Sequence, residues 1–240
     1  MSYLKLKFEI AHFVLFLNKT QILFLSSQKE RIGMKAQKGI LGIYCRYIKR
    51  FLDISLSIVL ITLLSPLMLL IAVTVISESR GGAIFKQKRM GKNGKIFTCY
   101  KFRTMRVDAP HSTPARELGD PEKYLTRIGG FLRRSSLDEL PQLFNVLRGD
   151  MSLVGPRPLI CEETEIHRMR QMAGVYMLRP GITGLAQING RNLLCDSEKI
   201  ENDKLYLDNV RMRLDAKIIF MTVGCVVAGK GIINQNTKEK

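Results

Sequence analysis

The chain has 240 residues, with 38 lysines and arginines against 21 acids and a formal net charge of +17. That length suits one ordinary domain plus an accessory segment and leaves little room for two full domains. The charge calls for an anionic partner: nucleic acid, an anionic membrane surface or phosphorylated small molecules. The five cysteines (Cys45, Cys99, Cys161, Cys195, Cys225) form no CxxC pair, and His12, His111 and His167 are equally scattered. A zinc site or disulfide framework is therefore not expected, and a reducing compartment is.

Residues 1–33, which include "FEIAHFVLFLNKTQILFLSS", carry apolar stretches interrupted by charges and read as an N-terminal extension without an assigned role. Met34 is a possible alternative start. Residues 34–80 read as a basic flank followed by a membrane helix. Within it, residues 54–76 hold no charged side chain over 23 positions, which is membrane length. A buried core helix of that length normally carries a polar stripe, and none is present. Pro66 lies near the centre, where it removes the bond to the Thr62 carbonyl at roughly 3 kcal/mol or more. A kink is expected there, with the Ser65 hydroxyl a local partner for the freed carbonyl. Lys38, Arg46, Lys49 and Arg50 precede the run, and Arg80, Lys86, Lys88 and Arg89 follow it. A spanning helix favours one basic end. Two equally basic ends favour a re-entrant helix broken at Ser65-Pro66, with a kinked single-pass helix as the alternative.

Residues 81–233 read as the main domain. Asn93-Gly94 is a hairpin turn signal, and the alternation of Ile96, Thr98, Tyr100 and Phe102 with Phe97, Cys99, Lys101 and Arg103 predicts a short β-hairpin with one basic face. Residues 107–121 read as a surface loop. Ser136 and Glu139 have capping-box spacing, so a helix is expected to begin near Ser136, with Leu137, Leu140, Phe144 and Leu147 on its apolar face and Pro141 in or near its first turn. "LICEETEIHRMRQM" predicts a more polar helix. Pro180-Gly181 suits a type II turn and Asn189-Gly190 another tight turn. Residues 198–213 read as a charged helix. Residues 218–228 are apolar but too short to span a bilayer, and would serve either a lipid surface or a homodimer. Residues 234–240 form a polar tail.

The adjacent acids Asp138 and Glu139 stand out against this charge. In isolation they are ordinary helix-start decoration. Their surroundings add Arg133 and Arg134 one turn upstream, Arg157 between Pro156 and Pro158, and Lys101 and Arg103 from the hairpin. Acids able to hold Mg²⁺ beside arginines able to hold phosphate are what phosphoryl transfer needs. No GxxxxGK[ST] run is present, so a P-loop enzyme is not indicated. Other readings of the charge are a membrane-tethered nucleic-acid-binding protein and a non-catalytic scaffold.

"KRFLD", Ser65-Pro66, "YKFRTM", "LRRSSLDELPQLFNVLRGDMSLVGPRP" and "RPGITGLAQINGRN" together resemble the bacterial sugar transferase family of monotopic polyprenyl-phosphate phosphoglycosyl transferases, over about Tyr47 to Ile219. The resemblance implies an α/β fold of α+β type: a re-entrant membrane helix and a small, mostly helical catalytic domain on the cytoplasmic face of the bacterial inner membrane. It implies Mg²⁺-dependent transfer of a sugar 1-phosphate from a UDP-sugar to undecaprenyl phosphate, with release of UMP and no nucleic acid partner. Asp138 then corresponds to the nucleophile and Glu139 to its partner in metal binding or proton transfer. Lys101, Arg103, Arg133, Arg157 and Arg191 correspond to phosphate or nucleotide contacts. The chain departs from the family pattern in having Leu185 where relatives often have Trp, and in lacking Trp altogether.

Overall fold

The computed structural model describes residues 42–109, 121–190 and 194–227. The chain divides into two compact units, residues 1–46 and 47–240, and the second contains all the helices and strands from Lys49 onward. The N-terminal extension before Gly42, most of the 107–121 loop, Arg191 and the polar tail lie outside the described residues.

The apolar run forms helix α1, Lys49–Glu78, about 45 Å long at 1.5 Å per residue. It is long and apolar enough to cross a membrane, and only 11% of its most apolar window is buried. The helix runs without interruption across Pro66, contrary to the break expected at Ser65-Pro66. The Ser65 hydroxyl donates to the Thr62 carbonyl at 2.9 Å, so the acceptor orphaned by proline is satisfied within the helix. The two ends differ in chemistry from the middle. Lys49, Asp53 and Ser57 are buried near the start, and Ile71 and Val75 near the end, whereas Leu63, Leu69 and Leu70 between them are exposed.

Strands β1 (Ile84–Met90) and β2 (Ile96–Phe102) pair antiparallel, with Met90 opposite Ile96. The loop between them turns on Asn93 and Gly94, both at positive φ (56° and 72°), the conformation this dipeptide tolerates best. The basic side chains divide between the two faces, contrary to the single basic face expected: Lys86 and Lys88 are exposed, while Arg89 and Lys101 point inward half-buried. The two faces of the hairpin pack on different elements. Phe97 and Cys99 join Val146 and Met151; Phe102, on the opposite face, joins Ile71, Val75 and Leu132. The second cluster ties the end of α1 to the domain. Leu132 is fully buried, and its truncation to alanine costs about 2–5 kcal/mol.

Helix α2 (Arg127–Ser135) is capped by the Thr126 side chain. Helix α3 covers Gln142–Arg148. No α-helix starts at Ser136. That residue ends α2 in the left-handed conformation (φ 59°, ψ 15°), and its side chain makes no capping bond. The expected capping box is therefore replaced by a tight 3₁₀ turn, Leu137–Glu139, followed by Pro141 just ahead of α3. Leu137 and Leu140 pack against the Phe102–Leu132 cluster. With both neighbouring leucines committed to the core, the chain cannot run straight on from α2 and the acids are presented on a turn.

Strand β3 (Ser152–Val154) pairs in parallel with β4 (Gly181–Thr183), a long-range pairing that local turn signals do not announce. Gly181 starts this strand and has no positive φ, so the type II turn expected at Pro180-Gly181 is absent. Glycine is needed there for another reason: a Cβ on Gly181 would lie 2.1 Å from the Gly155 amide nitrogen. Helices α4 (Thr164–Met172), α5 (Leu185–Asn189), α6 (Asp196–Asp208) and α7 (Met212–Val227) complete the fold. Asn189 closes α5 and Gly190 follows it in the expected turn. On α7, Ile218 is buried and Phe220 is 81% exposed. The described architecture is thus mostly helical with two small sheets, an α+β arrangement.

Candidate active site

The turn carrying the acids is held between β2 and α3. Asn145, fully buried on α3, accepts from the Tyr100 amide (3.0 Å) and donates to the Thr98 carbonyl (2.7 Å). One side chain thereby takes the place of a neighbouring strand along β2. Arg50, near the start of α1, donates to the carbonyls of Val146 (2.6 Å) and Leu147 (2.9 Å) at the end of α3. Asp53 accepts from the Leu153 amide of β3 at 3.0 Å. The "KRFLD" stretch is therefore a clamp joining the long helix to the elements beside the acids.

Within this frame Glu139 Oε1 accepts from Lys101 Nζ at 2.7 Å and from Arg157 at 2.9 Å. Burial alone would raise this carboxyl. The Arg157 and Lys101 charges, with their hydrogen bonds, outweigh burial and hold the group well below the usual carboxylate range. Asp138, one residue earlier and 8% exposed, accepts no hydrogen bond among the described residues. Burial pushes it up; Lys101 opposes this, Glu139 adds to it, and Arg157 and Arg133 oppose it again. Two adjacent acids are thus driven apart in acidity by environment, one clamped and firmly anionic, the other buried and left open. That division is how one site obtains two roles from the same chemical group.

Of the residues expected from sequence, the fold brings Asp138, Glu139, Lys101, Arg133 and Arg157 together. Arg133 donates to the Thr104 hydroxyl at 3.0 Å, and its charge acts on Asp138. Arg103 is placed elsewhere. It is 8% exposed, and its guanidinium donates to the carbonyls of Arg80, Ser79 (2.8 Å), Val75 (3.3 Å) and Gly81 (3.4 Å) at the end of α1. β2 stops at Phe102, so the alternation that set Arg103 beside Lys101 no longer governs its direction. Its role in this structure is to cap the long helix, not to contact the acids. Asn145, Arg50, Arg89 and Arg170 carry structural duties at the site that spacing did not indicate. A polar residue inside an apolar helix face, as in "LFNVL", was the available signal for Asn145.

Among the described residues no group of three or more His, Cys, Asp or Glu side chains is gathered for a metal. Two carboxylates do suit Mg²⁺, which takes one or two of them and fills its shell with water and substrate phosphates. Glu139 Oε1 is occupied by its two cations, which leaves Asp138 and the second Glu139 oxygen as the donor set. Residues 44–229 match the family described as Bacterial sugar transferase. The chain belongs to this family. The transferase is 42% identical to the uncharacterized sugar transferase EpsL of Bacillus subtilis, covering 79% of this chain and 92% of that one. It is 35% identical to the undecaprenyl-phosphate galactose phosphotransferase of Salmonella typhimurium, over 90% of this chain and 48% of the relative. It is 43% identical to the UDP-glucose:undecaprenyl-phosphate glucose-1-phosphate transferase of Klebsiella pneumoniae, over 78% of this chain and 41% of the relative. The sugar transferase therefore spans less than half the length of the last two. As a transferase it is an enzyme, and Asp138, Glu139 and the cations around them are its candidate catalytic groups.

Proposed function

We propose that this enzyme transfers a sugar 1-phosphate from a UDP-sugar to undecaprenyl phosphate at the inner leaflet of the bacterial cytoplasmic membrane. The product would be the lipid-linked first sugar of a surface glycan: capsule, exopolysaccharide, O-antigen or glycoprotein glycan. The observation that carries the reading is a buried, open carboxylate, Asp138, ringed by Lys101, Arg133 and Arg157 beside a clamped second acid. The names of the Salmonella and Klebsiella relatives, both undecaprenyl-phosphate sugar phosphotransferases, support the same chemistry.

In this reading the Asp138 carboxylate oxygen attacks the phosphorus that carries the sugar. The new bond is Asp138 O–P, the diphosphate P–O bond breaks, and UMP leaves with the bridging oxygen. An oxygen of undecaprenyl phosphate then attacks the same phosphorus and releases the aspartate, so the site is regenerated. Arg157, Lys101 and Arg133 neutralise charge as it shifts onto the leaving phosphate. Glu139 orients Arg157 and Lys101 and keeps its own charge throughout. Mg²⁺, held by Asp138 and Glu139 with the substrate diphosphate, would supply further charge neutralisation when bound.

A lipid acceptor requires the site to lie at the membrane surface, which a re-entrant α1 provides. Its support is that the same domain grips both ends of α1. Lys49 pairs with Asp215 at 2.5 Å and Asp53 binds β3 at one end. At the other, Glu78 accepts from the Arg127 amide (2.6 Å) and Arg103 caps the carbonyls. A helix tied at both ends to one domain is ill-suited to placing those ends on opposite faces of a bilayer. Cysteine labelling at residues 45 and 83 in intact and permeabilised cells tests this: labelling from opposite faces would refute it.

The decisive assay incubates purified protein with Mg²⁺ and a panel of labelled UDP-sugars, with and without undecaprenyl phosphate. The expected outcome is labelled protein before acceptor is added, then UMP and lipid-linked product. Normal turnover by Asp138→Asn would overturn the nucleophile assignment.

A further inference from the structure

Among the described residues, Arg157 is the one cation of the site on an irregular segment, and its side chain is 45% exposed. Among the described residues its side chain is held by Glu139 alone. The backbone beneath it is held unusually well. Five consecutive carbonyls each accept a hydrogen bond: Pro156 from the Gly181 amide (2.9 Å), Arg157 from Arg170 (2.7 Å), Pro158 from Arg89 (2.7 Å), Leu159 from the Met90 amide (3.1 Å) and Ile160 from His167 Nε2 (2.7 Å). The donors come from β1, α4 and β4. Pro156 and Pro158 have no N–H, so at those positions the carbonyl is the sole polar backbone handle available to the protein.

Two of these donors are buried guanidinium groups, and both have dedicated supports. Arg170 and Asp203 form an ion pair at 2.6 Å with side-chain exposures of 4% and 2%. Such a pair is seldom more stable than well-packed apolar residues of the same volume, so packing and charge do not by themselves account for it. What an apolar replacement would lose is the other nitrogen's bond to the Arg157 carbonyl. Arg89 donates Nε and a terminal nitrogen to Gln87 Oε1 (3.1 and 2.6 Å). A neutral amide thus aims Arg89 at the Pro158 carbonyl without cancelling its charge, although the charge lies close enough to Arg157 to oppose it.

We infer that Arg170, oriented by Asp203, and Arg89 are positioning residues that hold the Pro-Arg-Pro segment so that Arg157 meets Glu139 and the substrate phosphates. This rests on the proposed phosphosugar transfer for its kinetic consequence, though not for its structural one. Displacing a catalytic group by about 1 Å costs roughly 100-fold in rate.

The test uses the full chain in lipid nanodiscs and the paired variant Arg170→Met with Asp203→Leu, which removes both charges together and preserves volume. Hydrogen exchange over residues 157–165 is expected to accelerate about tenfold or more, whatever the substrate. With a UDP-sugar that the wild type uses, kcat is expected to fall about 10–100-fold with KM within about threefold, and little further loss is expected when Arg157→Gln is added. Unchanged exchange, wild-type kcat in a folded variant, or losses that multiply with Arg157→Gln would overturn the positioning role. Should the paired variant not fold, Arg89→Met is measured in the same way and judged by the same outcomes. No turnover by the wild type with any UDP-sugar would count against the proposed function alone, since the exchange result still decides the positioning.

Discussion

Arg103→Gln separates a helix cap from a substrate contact. Arg103 meets four carbonyls at the end of α1, with Arg80 and Ser79 the closest. A hydrogen bond involving a charged group contributes about 1.5–3 kcal/mol net, so the two closest contribute about 3–6 kcal/mol. Of these two, Arg80 is exposed and Ser79 half-buried, so the Arg80 carbonyl recovers water when the guanidinium is removed. The lower end of the range, about 3 kcal/mol, is therefore expected. At about 2–4 °C per kcal/mol for a unit of this size, the Tm falls by about 6–12 °C. The chain has no Trp and Cys195 is already exposed in the folded protein, so the melt is followed by the circular dichroism of the helices. Kinetics below the transition should show an unchanged KM for the UDP-sugar. A Tm within about 2 °C of wild type together with a tenfold rise in KM would refute the reasoning and return Arg103 to the substrate site.

Asp138→Asn should abolish turnover yet raise the Tm at neutral pH. The folded-state pKa of Asp138 lies above its unfolded value, so its ionisation opposes folding at neutral pH, and the gain should vanish as pH falls below about 3.9. For the same reason kcat should fall with decreasing pH along a limb centred above about 3.9; a rate flat down to that pH would contradict a buried nucleophile. Glu139→Gln removes an acceptor shared by Lys101 and Arg157, and should lower kcat about 100-fold and stability by about 2 kcal/mol. That stability figure is discounted from the 3–5 kcal/mol of a fully buried pair because Arg157 reaches solvent. Glu139 has a depressed pKa, so the wild-type advantage should be largest at neutral pH and shrink as pH falls below about 4.3, as melting curves across pH will show.

Features that depend on near neighbours were legible in the sequence. The apolar run, the Ser65 answer to Pro66 and the Asn93-Gly94 turn are settled by residues within a few positions, and each has the expected chemistry in the structure. Asp138, Glu139, Lys101, Arg133 and Arg157 were legible as a set because their motifs resemble those of the family, and the fold does bring these five together. Where local signals competed with packing, packing won. Ser136 has the spacing of a helix start, yet Leu137 and Leu140 are drawn into the core and turn it into a helix end. Pro180-Gly181 has the letters of a turn, yet the Gly155 backbone approaches so closely that the glycine serves a parallel strand pair. The sequence by itself thus determined which chemistry is present: a membrane-length helix and an acid pair among cations. Only tertiary structure decided which acid is clamped, that Arg103 caps α1, and that five carbonyls anchor Arg157. Those outcomes depend on contacts between residues far apart in the chain, such as Glu139 with Lys101 and Arg170 with Asp203, and no local pattern encodes them.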